Sequence, residues 1–148
     1  MKKFALSLLF ICLSVFVGKA EDLTSVWEEI ISNPELIVGP VDSVKTANHG
    51  FEKMEIALNS APTNDDIRRT KRIIAKIDDR QKVASSTVDG AEVMFFMAPY
   101  NMAATEMKVL AYFSYDQGEA KSMFIIYGIC KRENLSKLFT TLPEDILG

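Results

Sequence analysis

Leu23, Val26, Trp27, Ile30 and Ile31 recur at i, i+3, i+4, i+7 and i+8. This is the apolar stripe of an amphipathic helix, with Glu28 and Glu29 on its wet side. Asn33-Pro34 ends it, because a proline drives the residue before it out of helical space. Residues Glu35 to Val44 are apolar but broken by Gly39-Pro40, which predicts an irregular or edge strand, and Asn48-His49-Gly50 has turn chemistry. FEKMEIALN then alternates: Met54, Ile56 and Leu58 point one way, Lys53 and Glu55 the other, as in a strand with one buried and one wet face.

A second helix opens at Ala61-Pro62-Thr63-Asn64, with Thr63 or Asn64 as cap and Asp65 and Asp66 in its first turn. Ile67, Ile73, Ile74 and Ile77 give it a narrow apolar stripe, and it is expected to run until it frays near Lys82. AEVMFFMA, EMKVLAYFSY and KSMFIIYGIC follow as three strands rich in Val, Ile, Phe and Tyr, the last two joined by a turn at Asp116-Gln117-Gly118-Glu119. A short helix from Arg132 or Glu133 carries Leu135, Leu138 and Phe139 on one side and stops at Pro143. The expected fold is α+β: an antiparallel sheet of about four to five strands with two to three helices packed on one face.

The last two strands differ from FEKMEIALN in being apolar on both faces. Val109, Ala111, Phe113 and Tyr115 oppose Leu110 and Tyr112; Met123, Ile125, Tyr127 and Ile129 oppose Phe124, Ile126 and Cys130. Either these strands are central and covered twice, or the second face meets a partner, which predicts a homodimer or a protein docked on the sheet.

Residues 1–20, MKKFALSLLFICLSVFVGKA, read as a signal peptide: Lys2 and Lys3, an apolar run from Phe4 to Val17, then small residues Gly18 and Ala20 before a cleavage point at Ala20-Glu21. The competing reading, a retained anchor, is disfavoured because a bilayer crossing needs about 20 apolar residues. Cys12 follows Ile11 inside the apolar run, where lipoprotein processing wants a small residue, so lipidation is disfavoured too. The expectation is an exported, periplasmic or secreted protein whose mature part, residues 21–148, is one domain without an integral membrane segment.

Cleavage changes the charge. Loss of Lys2, Lys3 and Lys19 takes Lys+Arg from 17 to 14 against 20 acidic residues, so the mature charge is −6. An acidic whole argues against nucleic acid and against general adhesion to anionic membranes. One remaining cysteine rules out an intrachain disulfide, so stability is expected from packing.

The stretch EMKVLAYFSYDQGEAKSMFIIYGICKRENLSKL, Glu106 to Leu138, with the signal sequence and short helices around it, resembles an uncharacterised domain-of-unknown-function family of small exported proteins from Bacteroidetes. The resemblance implies the compartment and the α+β layout and supplies no catalytic residues. Two departures stand out: the lipidation cysteine that many relatives carry at the signal junction is absent, and Cys130 stands where relatives tend to have a polar residue.

Candidate chemistry is sparse. Cys130 precedes Lys131, Arg132 and a helix start, which favours a reactive thiol, but its alternation with Phe124 and Ile126 predicts a packed strand end; a crosslink between chains is the third reading. His49, the only histidine, reads as a turn residue. Glu28-Glu29, Glu52/Glu55 and Glu144-Asp145 are the carboxylate pairs available to a hydrolase. No metal-ligand spacing, calcium loop or phosphate-cradling glycine loop occurs, so no cofactor is implied. The stretch 64–82 carries Arg68, Arg69, Lys71, Arg72, Lys76, Arg80 and Lys82 against four aspartates, +3 in an otherwise acidic chain.

Three functions are therefore weighed. The first is an exported non-catalytic binding or assembly protein acting through a sheet or helix surface, with Arg68, Arg69, Arg72, Lys76, Tyr112 and Tyr127 as its candidate interaction residues. The second is an envelope hydrolase using Cys130 or paired carboxylates. The third is a peripheral binder of envelope lipid through the basic helix.

Overall fold

The computed structural model describes residues 22–48, 50–88, 90–117 and 120–136. Six strands form one sheet: β1 (Ile37–Pro40), β2 (Phe51–Asn59), β3 (Lys82–Val88), β4 (Ala91–Pro99), β5 (Glu106–Gln117) and β6 (Ala120–Lys131), in the order β1-β2-β6-β5-β4-β3. Every pairing is antiparallel. β3 to β6 form a meander, and β6 then pairs with β2, so the two doubly apolar strands lie in the centre.

The expectation of four to five strands is corrected to six, and among the described residues two helices lie over the sheet: α1 (Leu23–Ile31) and, after the six-residue α2 (Ser43–Asn48), α3 (Asn64–Ile74). The extra strand is β3, which starts at Lys82, where the second helix was expected to fray, and runs on through residues 83–88, to which no element was assigned. That helix stops at Ile74, and a 3-10 turn at Asp79–Gln81 starts the strand. Asp78 forces the change of direction: its carboxylate accepts the Arg80 N–H and ties the Arg80 guanidinium. KVASSTV shows no alternation because residues 82–87 are exposed on both faces.

α1 and α3 cover one face. Leu23, Val26, Trp27 and Ile30 descend from α1, with Ile74 and Ile77 from the α3 end, onto Ala57, Met94, Phe96, Leu110, Tyr112, Met123 and Ile125. Fully burying each large side chain of this kind stabilises by about 1.5–3 kcal/mol. α3 is started by a reciprocal cap: the Asp66 N–H donates to Thr63 Oγ1 at 3.1 Å and the Thr63 N–H donates to Asp66 Oδ2 at 2.8 Å. The backbone donor of Thr63 holds the Asp66 carboxyl below its usual value.

The opposite face is a second core. Phe113 stacks on Phe124 at 4.8 Å between centroids and meets Phe95 edge-on at 5.8 Å, with Val109, Ala111, Ile126 and Cys130 around them. Neither α1 nor α3 contributes a side chain to this cluster, in which Phe113, Ala111, Ile126 and Cys130 have 0% exposure. The central strands thus present no open apolar slab. Leu135, past the 3-10 turn Arg132–Asn134, packs here; Leu138 and Phe139 lie outside the described residues.

The sheet's rims are unlike its centre. β1 is four residues long and ends in Pro40, which has no N–H to offer, and β3 shows Ser85, Ser86 and Thr87 to water together with Lys82, Val83 and Ala84.

Candidate functional site

Where β1, β2 and β6 run beyond the reach of α1, the helix-bearing face leaves a bay of about 520 Å³. Its floor is β2 and β6. Pro40 and Val41 close one side where β1 ends, and Thr46 of α2 closes another. The start of α2 is held to the end of the β1 segment by the Thr46 hydroxyl, whose one hydrogen is shared between the Asp42 and Val41 carbonyls at 2.8 and 3.2 Å.

The wall toward α1 is Tyr127, and it is held both by its ring and by its hydroxyl. Trp27 stacks on its ring with centroids 5.4 Å apart and planes 13° from parallel. Its hydroxyl pairs with Thr24 Oγ1 at 2.7 Å, and Lys108 Nζ reaches both Thr24 Oγ1 at 3.2 Å and Asp22 at 2.5 Å. Burial alone would raise the Asp22 carboxyl, but the hydrogen bond and charge of Lys108, with the Thr24 and Leu23 N–H groups, outweigh it and hold it below its usual value. The Trp27 indole N–H donates to Glu55 Oε1 at 3.3 Å, so the same helix residue orients an aromatic wall and a carboxylate of the bay. Lys53, Glu55 and Glu52 supply the charge along β2.

At the outer lip Glu52, Lys131 and Glu106 form a row across β2, β6 and β5, with Lys131 Nζ 3.9 Å from Glu52. A hydrogen bond to Glu52, then burial and the charge of Glu52, raise the Glu106 carboxyl, against an opposing pull from Lys131. Among the described residues no group of three His, Cys, Asp or Glu is placed to hold a metal ion.

Of the interaction residues expected from the sequence, the structure brings only Tyr127 to this bay. Tyr112 has 0% exposure and is a core residue beneath the helices. Arg68, Arg69, Arg72 and Lys76 are exposed on or just after α3, away from the bay. Several cations of that stretch are already matched: Arg68 with Asp65, Lys71 with Glu92, Lys76 with Glu29 at 2.8 Å, Arg80 with Asp78. The last pair, led by the Arg80 hydrogen bonds, pulls the Asp78 carboxyl down to about 2. Such surface pairs contribute little stability, but they weaken the field a lipid headgroup would feel.

Cys130 Sγ is buried and donates to the Lys131 carbonyl at 3.3 Å. Burial, aided by the Glu52 charge, pushes the thiol up to about 11, the opposite of what a nucleophile needs. Glu55 and Glu52 have different partners, Trp27 and Lys131. His49 and Glu144-Asp145 lie outside the described residues. Sequence reasoning weighed Glu52 and Glu55 only as catalytic acids and did not single out Lys53; the strand alternation that puts Lys53 and Glu55 on one face was the available signal.

No family model, curated protein or solved structure matches the chain. No helix among the described residues is long and apolar enough to cross a membrane.

Proposed function

We propose that this is an exported, non-catalytic binding protein whose ligand enters the bay between α1, the β1 end and α2. The observation that supports this reading is the Trp27–Tyr127 stack with its polar relay. A rigid aromatic wall beside charged groups, in a concavity of small-ligand size, is what binding sites share. Export rests on the leader-like residues 1–20 and on the resemblance of Glu106–Leu138 to exported proteins.

The test is a screen of the purified protein against a pool of small polar metabolites and peptides, read by amide chemical shifts. Shifts gathered on Lys53–Glu55 and Tyr127–Ile129 support the bay. Binding that instead maps to the basic face of α3, or no binding from the pool, overturns it. N-terminal sequencing of the protein from the cell envelope is expected to begin at Glu21; a chain retaining Met1–Ala20 overturns cleavage.

A further inference from the structure

We infer that the bay takes a short peptide as a zwitterion, its amino end on Glu55 and its carboxylate on Lys53; this rests on the bay being the binding site. Lys53 and Glu55 are two positions apart on β2, so their side chains leave the same face about 7 Å apart along the strand. They are opposite in charge and both exposed. Glu55 is oriented by the indole N–H on Oε1, leaving Oε2 to accept from a ligand, while Lys53 forms no ion pair among the described residues. The third charged lining group, Glu52, is already answered by Lys131. Among the described residues the bay therefore presents one unpaired cation and one anion, from strand positions about 7 Å apart, beside the apolar surface of Tyr127, Ile129 and Pro40.

That pattern selects by charge and by length. A polyanion would meet Glu55 and Glu52 with one lysine to oppose them, and a polyamine would meet Lys53. A free amino acid holds its two charges on one carbon and is too short to bridge the pair. An extended chain spans about 3.3–3.6 Å per residue, so two or three residues place their ends over both charges.

The experiment titrates alanine, trialanine, N-acetyl-trialanine and trialanine amide into the purified protein, following Trp27 fluorescence and amide shifts. Trp27 is the single tryptophan and lies against the bay wall, so occupancy alters its emission. Trialanine is expected to bind, with alanine and either capped form weaker by roughly tenfold or more, as for loss of a charge-assisted contact. Lys53→Met should abolish the penalty for C-terminal amidation alone, and Glu55→Gln, which still accepts from Trp27, the penalty for N-acetylation alone. Both positions are exposed, so the melting curves of the variants should match the parent. Equal binding of all four probes by the parent, or variants that each lose both capping penalties or neither, overturns the zwitterion while leaving the bay. Silence toward trialanine while another compound from the pool shifts Tyr127 and Ile129 does the same. Silence toward trialanine and the whole pool removes both readings.

Discussion

The ring of Phe51 lies on the backbone of Gly128: a Cβ built on that glycine would stand 2.6 Å from Phe51 Cδ1 and 2.7 Å from Cε1, and would also strike the Lys53 carbonyl. The contact forms because β2 is irregular between Phe51 and Lys53, which turns the aromatic ring onto the neighbouring strand. Gly128→Ala should therefore destabilise by about 1–3 kcal/mol, as overpacking does. Phe51→Ala alone should cost about 3–5 kcal/mol, and the double variant less than the two together, since the added methyl gains the space the ring leaves. Urea midpoints decide it; an unchanged midpoint for Gly128→Ala would refute the contact.

Tyr112 is buried to 0% exposure, and its hydroxyl has no hydrogen-bond partner among the described residues. Burial pushes the phenol up to about 12; Ser114 is near enough to ease that shift without standing in regular hydrogen-bond geometry. Removing an unsatisfied buried hydroxyl while keeping the ring relieves a desolvation cost. Tyr112→Phe is expected to be neutral or to stabilise by up to about 1–2 kcal/mol. A melting temperature lowered by several degrees would show that the hydroxyl has a partner.

Alkaline pH should weaken the fold through the same two buried groups. Cys130 rises from a usual 9.0 to about 11 in the folded chain, and Tyr112 from 10.0 to about 12. Below pH 9 both are protonated in either state and their contribution is complete. As pH climbs from 9 through 11, the unfolded chain sheds the Cys130 proton first and stability drops; Tyr112 repeats this from 10 through 12. Unfolding free energy measured at pH 8, 9.5 and 11 should fall stepwise, and Cys130→Ala should lose the part that begins near pH 9. Iodoacetamide at pH 8 should modify Cys130 only after denaturant is added; stoichiometric labelling of the native protein contradicts the burial.

Thr63→Ala removes the acceptor of the Asp66 N–H and should cost about 1 kcal/mol, with Thr63→Ser restoring most of it. Chemical denaturation reads both, and an alanine variant as stable as the serine one would mean that the cap contributes nothing.

Central strands were legible because their middles are monotonous: residues 109–113 of β5 and 123–126 of β6 are apolar at every position, and such runs have few places to go except between two covered faces. The α1 stripe was equally plain, Leu23, Val26, Trp27 and Ile30 all being buried. β3 was hidden because its pattern reports burial, and it has none to report on either side. The extent of α3 was overread because Ile77 continues the spacing of Ile67 and Ile74 after the backbone has left the helix. Tyr112 shows the limit of alternation: it separates two faces but does not say which of them, if either, meets water. The bay was least visible of all. Its members come from four elements and carry no fixed spacing, so only the folded chain brings Pro40, Thr46, Glu55 and Tyr127 together.

The plainness of the two outer strands has a bearing on life at high concentration. One flank is a blunt, proline-ended border of four residues, and the other carries a lysine, two serines and a threonine beside the exposed Val83. Short and proline-ended on one flank and irregular at Lys82 on the other, these borders should slow the growth of fibres between copies that meet flank to flank.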